Sequence, residues 1–219
     1  MSDLAIRVSG RRFRLLPERA LYWEAQRMLV IADAHFGKGE TFRRRGIAVP
    51  PGTTADDLQR LDGAIDRVRP EVLMVLGDLF HAVPAAIPRT IDRLAAWRRS
   101  RPGLAWHLVS GNHDRRVEAA LAAIGIDGCS DRVERAGVVF VHEAPAAAEA
   151  YTVSGHVHPA VRLCGRARSA VDLPCFWFRP DRAVLPAFGG FTGCSRVRPG
   201  DGDRIYAVAA GEVLAARCA

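Results

Sequence analysis

Four consecutive residues, Gly111, Asn112, His113 and Asp114, put a neutral oxygen ligand, an imidazole and a carboxylate into one short loop. On its own such a run is turn chemistry, because Gly, Asn and Asp all favour turns. It gains weight because similar residues recur in the same setting, directly after apolar runs: Asp33-Ala34-His35, Gly77-Asp78, His142 and His156-Val157-His158. Pooled, Asp33, His35, Asp78, Asn112, His142, His156 and His158 give two carboxylates, one amide and four imidazoles, with no thiolate. Mixed oxygen and nitrogen donors suit Mn, Fe or Zn better than a soft thiolate site would. Seven donors are too many for one tetrahedral ion. They suit two divalent ions roughly 3.5–4 Å apart with one carboxylate shared, as in two-metal phosphoryl transfer. If His156-Val157-His158 ends a strand, its two rings point to one face and can reach neighbouring ions.

Elements must carry these residues to one place. RMLVIAD, EVLMVLGD, LAWHLVSGNHD, GVVFVHE and YTVSGHVHP each read as an apolar strand running into the site residues. Carboxyl ends of strands in a layered α/β sheet share one rim, where ligands bind. FGKGETFRRRG reads as a short helix bearing Lys38, Arg43, Arg44 and Arg45. After Pro50-Pro51-Gly52, Thr53 or Thr54 is expected to cap a helix whose Leu58, Leu61, Ile65 and Val68 form one apolar stripe, ended by Pro70. IPRTIDRLAAWRRSR reads as another, with Ile91, Leu94, Ala95 and Trp97 near one face and arginines on the rest, and Gly125 ends a helix over RRVEAALAAIG. An N-terminal hairpin turns at Ser9-Gly10-Arg11, and antiparallel strands fill the last third. The whole is expected to be one α/β domain over residues 1–219.

The chain has 219 residues, 31 Lys and Arg against 24 Asp and Glu, and a net charge of +7, which favours an anionic partner, nucleic acid being the commonest. Five widely spaced cysteines, never in a C-x-x-C pair, fit reduced cytosolic thiols. With no apolar run of about 18 residues and no signal-like N-terminus, a soluble cytoplasmic protein without a membrane partner is expected. The aromatics of CFWF fit a strand with one buried face better than a base-stacking platform.

The ordered blocks DAH, GD, GNHD, a strand-terminal His and GHVH resemble those of the calcineurin-like metallophosphoesterase superfamily. More narrowly, IADAHFGKGETFRRRGIAVPPGTT, GDLFH and LPAFGGFTG are similar to the bacterial ligase-associated DNA damage response endonucleases of the PdeM type. Two positions depart from the pattern: Glu143, where many members have Gly, and Cys194, where a second Gly is expected. The resemblance implies a four-layer α/β/β/α sandwich of two mixed β-sheets flanked by helices. It assigns Asp33, His35 and His158 to one ion, Asn112, His142 and His156 to the other, and Asp78 to both. It gives His113 the task of contacting the scissile phosphate and protonating the leaving oxygen, with Asp114 orienting its ring. Manganese is the implied metal, with Fe or Zn as alternatives; the implied substrate is DNA, single-stranded or structured, and repair proteins such as a ligase are implied partners.

Several readings stay open at this point. His81 either touches the phosphate from the opposite side or caps the following loop. Lys38 and Arg43 to Arg45 either guide a polyanionic backbone or are a solvated face. A small-molecule phosphoesterase acting on nucleotides or cyclic nucleotides competes with the endonuclease, and a silent repair scaffold is the reading from another class.

Overall fold

A computed structural model describes residues 2–84, 87–114, 117–147, 149–164 and 170–216. The amino-terminal edge follows from local rules. β1 (Leu4–Val8) and β2 (Arg11–Leu16) pair antiparallel across Ser9 and Gly10, whose φ values of 46° and 75° are those of a two-residue hairpin turn matching strand twist. β3 (Ala20–Trp23) and β4 (Met28–Ala32) continue the meander. From β4 onward the pairing turns parallel through β5 (Val72–Leu76), β6 (Ala105–Val109) and β7 (Gly128–Ser130), completing a seven-stranded mixed sheet in simple sequence order. Register does the positioning: Ala32 pairs Leu76, and Leu76 pairs Val109. Three strands therefore finish on one line, and Asp33, Gly77 and Ser110 are the residues that step off it.

The second mixed sheet holds nine strands. Its main path is β14 (Ser195–Arg196), β11 (Pro159–Cys164), β12 (Ala170–Phe178), β13 (Arg182–Val184), β10 (Tyr151–Ser154), β9 (Val138–Val141) and β8 (Arg132–Arg135), with β15 (Arg204–Ala209) and β16 (Glu212–Ala216) attached through β12. β9, β10 and β13 are parallel neighbours, so His142 and the 155–158 loop leave the sheet at the same end.

The strands of the first sheet are apolar on both faces because both are covered. In β5, Met74 and Leu76 face the second sheet while Leu73 and Val75 face helices, as two-residue alternation requires. Between the sheets, Phe13, Trp23, Phe140, Phe176 and Phe178 are almost fully buried, with ring centroids 5.3 Å apart for Phe13 and Trp23. On the other side lie α2 (Thr53–Val68), α3 (Pro88–Arg99) and α4 (Glu118–Ile124), which bury Leu58, Leu61, Leu94 and Leu121. A smaller cluster around Cys175, Ile205 and Ala207 lies apart from these two cores, so both faces of the CFWF strand are in use. The two mixed sheets and flanking helices are those expected from the sequence.

Three details differ from expectation. Neither Thr53 nor Thr54 caps α2; Gly52, at φ 107°, turns the chain into the helix, and the Thr54 Oγ1 accepts instead from the Gly37 amide at 3.3 Å. β10 stops at Ser154, so His156 and His158 stand in a loop. β7, β8, β11 and β14 give no clear sequence signal: β7, β8 and β14 are short or half exposed, and β11 begins at a proline directly after His158.

Candidate metal centre

All seven proposed ligands lie beyond the carboxyl ends of five strands, three from one sheet and two from the other. The backbone there is strained. Asp33, His35, Asp78, His156 and His158 have φ of 52°, 46°, 48°, 68° and 51°, a left-handed conformation that costs of order 1–3 kcal/mol each and persists only where surroundings over-determine it. Here they do. The loops after β4 and β5 are laced together, with the His35 and Phe36 amides donating to the Asp78 and Leu79 carbonyls at 2.9 and 2.8 Å. The 188–195 segment braces the same loops. The Phe188 amide donates to Ala32, Gly189 to Asp33 and Ser195 to His158. Left-handed backbone, not strand alternation, is thus what lets His156 and His158 both face inward.

Two groups of donors result. Asp33, His35 and His158 form one, and Asp33, Asp78 and His142 another, each compact enough to hold a metal ion. His35 Nε2 lies 3.4 Å from His158 Nε2 and 3.8 Å from Asp78 Oδ2. His142 Nε2 lies 3.7 Å from Asp78 Oδ1 and 3.0 Å from His156 Nδ1. Asp78 therefore stands between the groups. Asn112, exposed at the rim, places its amide nitrogen 3.5 Å from His156 Nδ1. The structure thus gathers all seven residues, and it also brings Asp33 towards the second group, its Oδ1 being 3.7 Å from His142 Nδ1.

The donor set fits divalent cations. Asp33 Oδ1 is buried without a hydrogen-bond partner, as is His35 Nδ1; orphaned buried polar atoms are rare and call for a reason. Imidazole nitrogens face one another across 3.0 and 3.4 Å, a spacing that leaves lone pairs opposed unless a proton or cation lies between. Burial, with the neighbouring His158 and Lys38, pushes the His35 pKa down to about 2, keeping the ring neutral and able to ligate. Burial would also lower His158, but the Asp33 carboxylate, whose Oδ1 lies 3.4 Å from His158 Nε2, outweighs it and its pKa is raised. Backbone carbonyls orient two of the rings: Leu76 O lies 3.2 Å from His142 Nδ1, and Gly193 O 3.2 Å from His158 Nδ1. Main-chain partners of this kind leave no residue-type signal in a sequence, although the LPAFGGFTG block marked the segment that supplies one of them.

The remaining predicted residues ring this centre. The His113 side chain is 49% exposed, with Nε2 4.0 Å from Asp78 Oδ2, while its backbone amide donates to Asp78 Oδ1 at 2.9 Å. Asp114 does not hold that ring. Its carboxylate accepts from the backbone amides of Gly111, Leu79 and Phe80 at 3.0, 3.3 and 3.4 Å, so it staples the GNHD loop to the loop after β5. Burial raises its pKa against those three bonds. The His81 ring stacks on His113, centroids 6.0 Å apart, and meets His35 and Phe42 edge-on. It makes no side-chain capping bond among the described residues, and its Nδ1 is buried and unpartnered. Burial, aided by Lys38, His113 and Arg45, lowers its pKa to about 4. Lys38, its own pKa lowered by burial, opens α1 (Lys38–Arg44) beside the centre, its Nζ over the Phe42 ring. Arg43 donates to the Pro50 carbonyl at 3.0 Å, and Arg44 lies 3.6 Å from Glu40.

Two sheets whose strand ends converge on a cluster of Asp and His donors define a metal-dependent phosphoesterase, a hydrolase. Residues 26–156 match the family model described as calcineurin-like phosphoesterase, and the chain belongs to that family. The family is dinuclear-metal-dependent, and the residues above are its candidate ligands here. The crystal structure of Pseudomonas putida nuclease MPE is similar over 98% of this chain and 100% of that one, with 32% identity and a TM-score of 0.84. Yfce, a phosphoesterase from E. coli, aligns over 85% of this chain and 95% of that one at 14% identity and a TM-score of 0.44, too distant a likeness to bear on the fold or the function. No curated protein matches the chain.

Proposed function

We propose that this enzyme is a manganese-dependent DNA endonuclease that cleaves single-stranded or structured DNA in repair, in the cytoplasm and alongside partners such as a ligase. The observation that carries the reading is the likeness, over essentially the whole chain, to a nuclease. The net charge of +7 supports it, as do the arginines flanking the centre. Manganese and the repair setting rest on the sequence resemblance.

Asp33, His35 and His158 would hold one ion, and Asn112, His142 and His156 the other, with Asp78 reaching both. When bound, two such ions supply a water of lowered pKa and neutralise charge on the phosphate oxygens. The protein's own residues do the rest. His113, exposed at the mouth and within reach of Asp78, is placed to contact the phosphate and give a proton at its ring nitrogen to the departing oxygen. Asp114 keeps Asn112 and His113 where they are by holding three amides of two loops. His81, kept neutral by burial, backs the His113 ring and presents a hydrogen-bonding edge to the substrate. Lys38 and Arg43 to Arg45 draw the polyanionic strand toward the centre.

The test is cleavage of circular single-stranded and duplex DNA beside bis-p-nitrophenyl phosphate and a phosphomonoester, with Mn, Fe or Zn supplied in turn. Nicking of circular DNA with Mn is the expected result. Fast turnover of nucleotides with intact DNA would make this a small-molecule phosphoesterase instead.

A further inference from the structure

A cleft of about 560 Å³ opens beside the metal centre, between the end of α1, the start of α2 and the first turns of α3. Arg43, Arg44, Arg89 and Arg93 line it, with Glu40 as the one acidic residue among the described residues there. Arg89 and Arg93 are one helical turn apart, so they share a face of α3. Both are exposed, and among the described residues neither has an ion-pair partner. Glu40 offsets one of these four charges: its Oε1 lies 3.6 Å from Arg44, while its Oε2 accepts from the Thr90 hydroxyl at 2.9 Å and amide at 3.2 Å, which ties α1 to α3. Four guanidinium groups against one carboxylate leave an excess of three positive charges around the cleft, which favours an anion there.

The cleft adjoins the catalytic region. Thr53 and Thr54 line both it and the narrow gap that touches His35 and Lys38. α1 runs between the two, from Lys38 at the centre to Arg44 at the cleft, a rise of about 9 Å. Among the described residues no aromatic side chain lines the cleft, so these residues offer bases nothing to stack on. It offers phosphates bidentate guanidinium donors.

We infer that this cleft is a subsite for the backbone phosphates of the nucleic-acid strand, away from the scissile bond and reached along α1; the inference rests on the nuclease reading above. Arg89 and Arg93 are then strand-binding residues, and the contribution is set by charge and independent of base sequence.

The test compares the wild-type holoenzyme with R89A/R93A and R89K/R93K, on a long oligo(dT), the dinucleotide dTpdT and bis-p-nitrophenyl phosphate, across a salt series. For R89A/R93A, the ratio of long-oligonucleotide to small-diester kcat/KM is expected to fall by about 25-fold at ~0.1 M salt, and the log-log salt slope to flatten by about 1.4. These are the values for two single-strand phosphate contacts at ~0.7 each against a ~1 M reference. R89K/R93K should keep most of the ratio. A wild type that cuts the long oligonucleotide while R89A/R93A keeps the same ratio and slope overturns the cleft and leaves the nuclease standing. A wild type that turns over the small diester and no oligonucleotide removes the nuclease reading, and the strand subsite goes with it.

Discussion

Replacing Gly77 with Ala tests how tightly the strand ends are packed around the centre. Gly77 has φ +69°, and a Cβ built there would overlap Nδ1 and Cγ of the His142 ring and come within 2.7 Å of the His142 Cβ. The ring has little room to retreat: it is buried, with Leu76 O 3.2 Å away and Asp33 and Asp78 oxygens at 3.7 Å. Left-handed backbone costs an alanine about 1–2 kcal/mol, and overpacking a full site adds about 1–3 kcal/mol. The apoprotein should thus lose roughly 2–5 kcal/mol. At ~2–4 °C per kcal/mol for a chain of this size, the melting temperature should fall by about 4–20 °C. Thermal unfolding in chelator measures that loss without metal loss confounding it. In the double variant with His142→Gly the ring and its Cβ are both gone and only the backbone strain at position 77 remains, so the coupling term should be about −1 to −3 kcal/mol. Additive single and double variants, or a G77A protein that melts with the wild type and keeps its metals, would refute the packing argument.

His113→Ala should slow diester cleavage by about 10²–10⁴-fold while metal content stays at the wild-type level; if the metals leave and the rate per bound metal is retained, the ring is not the proton donor. Asp114→Ala leaves three backbone amides without their acceptor and should cost about 2–4 kcal/mol, read as a lower melting temperature that Asp114→Asn partly restores. Unchanged melting with an activity loss like that of His113→Ala would return Asp114 to a ring-orienting role. For pH, the pKa values of His81 and His35 are lowered to about 4 and about 2 in the folded chain. Between pH 6.5 and 4 the unfolded chain therefore binds protons that the folded chain refuses. The apoprotein should lose stability as pH falls through that window, by up to about 1.4 kcal/mol per pH unit per histidine and by less at His81, which water partly reaches. His81→Asn should flatten the slope, and an identical slope in that variant would show that His81 titrates normally.

Much of this was legible in the sequence because the strands of a doubly covered sheet must be continuous apolar runs, and the residue that ends each run is conspicuous. Asp33, Asp78, Asn112 and His142 announce themselves in that way. Where the sequence misled, the backbone was the reason. His156 and His158 look like alternate residues of a strand, yet they face inward through left-handed φ, a property no two-residue pattern encodes. Gly52 turns the chain into α2, so the threonines beside it are free for other contacts. Asp114 sits next to His113 in sequence and suggests a side-chain pair, whereas its acceptors are spent on the Gly111 amide and on two amides of a loop some 35 residues away. Arg89 and Arg93 read as part of a solvated helix face until α1 is seen opposite them, because a helix pattern shows what a face contains and never what lies across from it.

The proposed ligands divide between two sheets made at different times. Asp33, His35, Asp78 and Asn112 leave the first sheet, while His142, His156 and His158 leave the second, more than a hundred residues after Asp33. During synthesis, then, the early half of the centre would emerge as a carboxylate-rich lip with nothing opposite it, and the imidazoles that close it would arrive only once the second sheet begins to form. Metal capture would come late in the life of the nascent chain and would rivet two layers otherwise joined by apolar contact and by hydrogen bonds such as those from Arg11 to the Ala136 carbonyl.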